Sequence, residues 1–122
     1  ADEAGYLSLH VHAGLSADNV AASLACARLA ARVVHRIEEA LDCNFSKDTF
    51  KYSRLISHVH YMLLRIERGE KVAIDINDYV AKNFPEASTL AQDICTFVAR
   101  EMKKTVSQEE LTLLALHIQR VM

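Results

Sequence analysis

His58 and His117, two of the six histidines in this 122-residue chain, each lie one helical turn from an arginine. His58 follows Arg54 by four residues, and His117 precedes Arg120 by three. Residues at these spacings share a face of a helix. A neutral imidazole is nucleophilic near pH 7, and a phosphoryl group on it would add close to two negative charges that arginine can pair with. The pattern predicts histidines that accept a phosphoryl group, with Arg54 and Arg120 pairing with it.

Other roles for these histidines and arginines were weighed against this one. A half-buried histidine satisfied by a hydrogen bond and a solvated surface arginine are the ordinary alternatives. Metal binding is disfavoured, because the histidines of the two HVH segments are two residues apart and point about 200° away from each other on a helix. We therefore expect no metal site, and we expect His12, His35 and His60 to face solvent or a partner.

Catalytic motifs are absent from the sequence. It contains no GxSxG nucleophile elbow, no glycine-rich phosphate loop and no paired carboxylates beyond surface pairs such as Glu38 and Glu39. We predict that the chain is not an enzyme and binds no cofactor.

A repeated segment adds a third histidine to the candidates. The stretch ADEAGYLSLHV at the start aligns with SQEELTLLALHI from Ser107, which places His10 opposite His117. The constant offset has the length of a small domain. We interpret residues 1–15 as the C-terminal helix of a preceding copy of a module and residues 16–122 as the complete copy, and we expect the chain to be a piece of a longer protein.

Composition and charge define the class of protein. Hydrophobic residues make up 51% of the chain and charged residues 25%, while a single proline and three glycines leave few tight turns. The net charge of -2 does not favour binding to a phosphate backbone. Three widely spaced cysteines indicate reduced thiols rather than disulfides. With no stretch long enough to cross a bilayer, we expect a soluble cytoplasmic protein.

Apolar periodicity and capping signals predict five helices. They cover residues 19–41, 47–68, a short third helix capped by Asp75, 86–103, and a last helix that begins with a capping box of Ser107 and Glu110. In the first helix the apolar stripe is assigned to Val20, Leu24, Ala27, Ala31, Val34 and Leu41, and Gly69 is expected to end the second helix. The fold class is therefore all-α, a single compact and largely antiparallel bundle of about five helices.

Three segments resemble a known family over nearly the whole chain. They are YSRLISHVHYMLLRI around His58, KNFPEASTLAQDICTFV, and SQEELTLLALHIQRV around His117. Their residues, their order and the distances between them resemble those of the phosphotransferase-system regulation domain (PRD). This domain occurs in bacterial antiterminators of sugar-utilisation operons. Residues from about 16 onward look like the second such domain and the leader like the tail of the first. His60 adds a histidine to the usual pattern.

The resemblance implies a function and partners. Such domains receive phosphoryl groups on histidine from the phosphocarrier protein of the sugar phosphotransferase system or from a sugar-specific transporter subunit. They then change their dimerisation and so control an N-terminal RNA-binding domain. His58 matches the first histidine motif and His117 the second, while His10 would be the second histidine of the preceding domain. Phosphate at a subunit interface would recruit Arg54, Arg65 or Arg120 and shift the dimer equilibrium.

Three other functions stay open at this point. Related regulation domains occur in DNA-binding activators of sugar operons. A helical-bundle phosphorelay shuttle would also accept phosphate on histidine, with little change in assembly. A structural dimerisation module would use the alanine-rich first helix and ignore phosphate.

Overall fold

The computed structural model describes residues 17–45 and 48–122, and within these residues the chain folds into five α-helices. They are α1 (Ala17–Leu41), α2 (Thr49–Arg68), α3 (Asn77–Asn83), α4 (Pro85–Met102) and α5 (Gln108–Val121). No strand occurs in the described ranges. The prediction of an all-α bundle is thereby confirmed. The predicted leader, its boundary at residue 15 and His10 lie outside the described residues.

Local capping chemistry sets several of the helix ends. The Asp48 side chain accepts a hydrogen bond from the Lys51 backbone N at 3.1 Å, so α2 begins at Thr49, two residues later than predicted. Pro85 occupies the first turn of α4, where its missing N–H costs nothing. Asp75 does not cap the short helix: Ile76 holds the N-cap position of α3, and no side chain makes a cap hydrogen bond there.

The helices surround one apolar core and pack antiparallel in two of their pairs. Arg32 contacts Glu101 while Arg36 contacts Phe97, so α1 and α4 run in opposite directions. In α2 and α5, Arg65 pairs with Glu110 while His58 pairs with His117, which gives the same relation. The largest fully buried side chains come from all five helices: Val33, Val34, Ile37, Leu55, Val59, Leu63, Val80, Ile94, Val98, Thr112, Leu114 and Ile118. No helix of the described ranges is long and apolar enough to cross a membrane.

The buried face of α1 differs from the predicted stripe. Val20, Leu24 and Ala31 are exposed. The side of α1 that enters the core carries Cys26, Leu29, Ala30, Val33, Val34 and Ile37. The helix is rich in alanine and has apolar residues around most of its circumference. Periodicity therefore predicted the helix but did not identify the face that is buried.

Gly69 ends α2 as predicted, and its backbone conformation can be tested by mutation. It adopts the left-handed conformation with φ 68°, and a Cβ added there meets nothing within 4 Å. Gly69→Ala should therefore lower the free energy of unfolding by about 1 to 2 kcal/mol, from backbone strain and not from a clash. Urea denaturation measures this change. Gly69→Asn is the control and should cost less, because asparagine tolerates this conformation; equal stability of the alanine variant and the wild type would contradict the argument.

Candidate functional site

The antiparallel packing of α2 and α5 brings His58 and His117 together. Leu55 and Val59 on α2 and Leu114 and Ile118 on α5 are buried in the core. Each histidine lies within three residues of two of these buried side chains, so their packing holds both imidazoles at the edge of the core. The two ring centroids are 3.9 Å apart, and the ring planes meet at 11°. Two histidines predicted from separate motifs thus form one stacked pair.

A pocket of about 220 Å³ opens beside this pair. It is lined by Asp48, Phe50, Lys51, Arg54, Leu55, His58, His117, Arg120 and Val121. Arg54 and Arg120, both predicted as phosphate-pairing residues, are exposed members of this lining. Three cationic side chains face a single carboxylate, so the pocket favours an anion.

Burial and neighbouring cations keep both imidazoles neutral. Burial lowers the pKa of His117 to about 4, with further contributions from His58, Arg120, Arg65 and Arg54. The pKa of His58 is also lowered, first by burial and then by the positive charge of Arg54 and Arg120. At pH 7 each ring therefore retains one nitrogen with a free electron pair, which a nucleophile requires.

Arg65 lies near the histidines but is bound to another partner. Its Nε and Nη2 donate to the two carboxylate oxygens of Glu110 at 2.9 and 2.7 Å. The Glu110 side chain is only 3% exposed, and Arg65 does not line the histidine pocket. Arg65 was predicted to pair with phosphate, but in the structure it is paired with Glu110.

The same ion pair alters the predicted capping box of α5. Ser107 Oγ accepts a hydrogen bond from the Glu110 backbone N at 3.3 Å, which is one half of the box. Both oxygens of the Glu110 carboxylate accept from Arg65, and among the described residues no second bond of the box, from the Ser107 backbone N to this carboxylate, is present. Sequence analysis missed the Arg65–Glu110 pair because the capping signal explained Glu110 locally.

The remaining described histidines have separate settings. His60 was expected to face solvent or a partner, but it is half-buried against α1, with Nε2 3.3 Å from the Ser23 carbonyl oxygen. That nitrogen donates when it carries the proton. His35 is exposed, with Nε2 2.8 Å from Glu39 Oε1. Over residues 17–45 and 48–122, no three His, Cys, Asp or Glu side chains form a group that could hold a metal ion.

The fold and the pocket define an all-helical domain with a paired-histidine site on its surface. The model of the PRD domain family matches residues 31–121, so the chain belongs to this family. This finding confirms the family that the histidine motifs resemble.

The chain is similar in sequence to proteins from Bacillus and Staphylococcus. The chain is 26% identical over 121 residues to the PtsGHI operon antiterminator of Bacillus subtilis, an alignment that covers 98% of this chain and 43% of that protein. It is 25% identical over 119 residues to protein GlcT of Staphylococcus epidermidis, covering 96% of this chain and 42% of the relative. Protein GlcT of Staphylococcus aureus strain Newman is 24% identical, with the same coverage. The chain thus spans about two fifths of the length of these relatives. No solved structure matches it significantly.

Proposed function

We propose that this chain is a regulatory domain of a bacterial transcriptional antiterminator and that the sugar phosphotransferase system phosphorylates it on histidine. The observation that carries the proposal is the stacked pair of His58 and His117 in an open pocket beside Arg54 and Arg120. The relative named the PtsGHI operon antiterminator supports the whole-protein role. We place this piece as the second regulation domain, behind the tail of the first, with His10 as that domain's histidine.

The pocket residues divide the chemistry of phosphoryl transfer among them. The free electron pair of a neutral imidazole, on His58 or His117, forms the new N–P bond. The bond between phosphorus and the donor atom breaks, and its electron pair stays on the donor atom. The proton that the acceptor ring gives up passes to the donor or to solvent. Arg54 and Arg120 then pair with the phosphoryl oxygens, whose charge is close to -2.

Regulation follows from the change in charge at this surface. Phosphorylation adds a doubly negative group to a neutral ring that lies next to two exposed guanidinium groups. This new charge changes the contacts with a second copy of the chain. A difference of 2 to 3 kcal/mol between two dimer states changes their population ratio by roughly 30- to 150-fold. In this proposal the partners are the phosphocarrier protein or a sugar-specific transporter subunit as donor, and a second copy as dimer partner. RNA binds through an N-terminal domain of the longer protein.

Intact-mass spectrometry at neutral pH tests the site. After incubation with phosphoramidate, or with phosphoenolpyruvate, enzyme I and the phosphocarrier protein, the wild type should gain an acid-labile phosphoryl group. In a His10→Ala background, because His10 is a further proposed acceptor, His58→Ala and His117→Ala should each reduce the gain, and the double variant, which lacks both, should not be labelled. His35→Ala, at an exposed position outside the pocket, is the control and should be labelled like the wild type. Full labelling of the double variant would rule out this site.

Dimerisation is tested separately. Sedimentation of the phosphorylated and unphosphorylated wild type should show different association constants. The double variant should show one constant, whether or not the donors are present. An identical association constant for both wild-type forms would leave the histidines as phosphoryl acceptors and remove dimerisation from the proposal.

A further inference from the structure

An exposed aromatic side chain stands in the lining of the histidine pocket. Phe50 lies in the first turn of α2 and is 72% exposed, the highest value among the large hydrophobic side chains of the described residues. Burying a phenylalanine removes a large apolar surface from water, so a solvated one forgoes this stabilisation. Phe50 contributes little to the core and remains available to a partner.

Charge surrounds this aromatic ring within the same lining. Lys51 follows it directly, and Arg54 stands one helical turn later on α2, while Arg120 comes from α5. Asp48 is the one carboxylate of the lining. The apolar ring and the three cations are continuous with the two histidines, because all of them border one pocket.

Access to the histidines depends on the size of the donor. A pocket of about 220 Å³ admits a small phosphate compound directly. A protein donor is far larger than the pocket, so it has to rest its own surface on the residues around the opening while its phosphoryl group reaches a ring nitrogen. Interfaces obtain most of their binding energy from a few buried side chains, with aromatic residues and arginine prominent among them.

We propose that Phe50 and Lys51 form the docking contact for the phosphoryl-donor protein, an inference that rests on the proposed function. The occupant is a phosphorylated carrier protein that presents its phosphoryl group from an apolar patch edged by acidic residues. The patch covers Phe50, an acidic group pairs with Lys51, and the phosphoryl dianion enters between Arg54 and Arg120. Charge complementarity argues for this partner, because the pocket lining carries three cationic side chains and one carboxylate.

Phosphorylation rates with two donors test the docking contact. The protein donor is the phosphocarrier protein charged by enzyme I and phosphoenolpyruvate, and the small donor is phosphoramidate, which needs no docking surface. Phe50→Ala should slow labelling by the carrier about tenfold and leave labelling by phosphoramidate unchanged. Lys51→Glu should slow labelling by the carrier and weaken its dependence on salt. Tyr79→Ala is the control, since Tyr79 is 60% exposed on α3 and does not line the pocket.

Each remaining outcome overturns the docking contact in a recognisable way. Wild-type rates for Phe50→Ala with the carrier would exclude this aromatic contact. Equal slowing with both donors would show that Phe50 supports the pocket rather than a partner. Labelling of the wild type by phosphoramidate but not by the carrier would exclude the carrier as occupant while the histidine site stands. A wild type labelled by neither donor would refute the proposed function and the docking contact with it.

Discussion

Arg65→Ala is expected to lower the free energy of unfolding by about 3 to 5 kcal/mol. The Glu110 side chain is 3% exposed, and the structure pairs both of its oxygens with Arg65. Removing the arginine leaves a buried carboxylate without its counter-charge, and few interior arrangements are more costly. Urea denaturation at pH 7 measures the loss.

Two further variants separate the buried charge from lost packing. Glu110→Gln removes the charge and retains the shape, so the double variant Arg65→Ala with Glu110→Gln should be more stable than Arg65→Ala alone. Arg54→Ala is the matched control: it removes an exposed arginine from the same helix and should change stability by less than about 0.5 kcal/mol. If Arg65→Ala proves no more costly than Arg54→Ala, the ion pair contributes nothing measurable to stability.

This ion pair also bears on the proposed phosphoryl site. Arg65 acts on both imidazoles electrostatically, as one of the causes that lower their pKa values. Phosphorylation would offer Arg65 a second anionic partner, but leaving Glu110 costs the buried pairing just described. Arg54 and Arg120 are exposed members of the pocket lining, so they are the arginines we expect to pair with phosphate first.

Acidification from pH 7 to pH 4 should destabilise the domain through His117, by about 3 kcal/mol at most, because solvent screening at this half-buried ring reduces the effect. Burial lowers the pKa of His117 to about 4 in the folded chain, against 6.5 for the free side chain. Between these two values the unfolded chain binds a proton that the folded chain does not bind. The free energy of unfolding therefore falls as the pH falls through this window. Above it both states are neutral at this residue, and below it both are protonated. The lowered pKa of His58 acts in the same direction.

Comparison with His117→Gln isolates this contribution. Glutamine does not titrate, so the variant should lose less stability than the wild type between pH 7 and pH 4, by at most about 3 kcal/mol. Urea denaturation at several pH values gives both curves, and the carboxylates contribute equally to each. Parallel curves for the two proteins would show that His117 has an ordinary pKa in the folded domain.

Much of the helical architecture was readable from local signals. Apolar periodicity predicted α2, in which Leu55, Val59, Leu63 and Ile66 are buried, and Gly69 predicted where it ends. The fourth helix was predicted at residues 86–103 and begins at Pro85, and Ser107 holds the N-cap position of α5 as predicted. These features were predictable because capping and periodicity act within a few residues of one another.

Local signals failed where several answers were chemically equivalent. The alanine-rich α1 offered more than one apolar face, and only the positions of α2 and α4 decide that Val33 and Ile37 are buried while Val20 and Leu24 are not. His60 was expected to face solvent or a partner, but the packing of α1 against α2 places it beside the Ser23 carbonyl oxygen.

The sequence by itself determined that the chain is helical and where its helices lie, and it predicted His58 and His117 as phosphoryl acceptors with Arg54 and Arg120 beside them. Only the tertiary structure decided that the two imidazoles stack 3.9 Å apart in one pocket and that Arg65 is held by Glu110. The physical reason is range. Helix formation depends on neighbours three and four residues away, whereas the register of α2 against α5 depends on how core side chains far apart in the chain fit together.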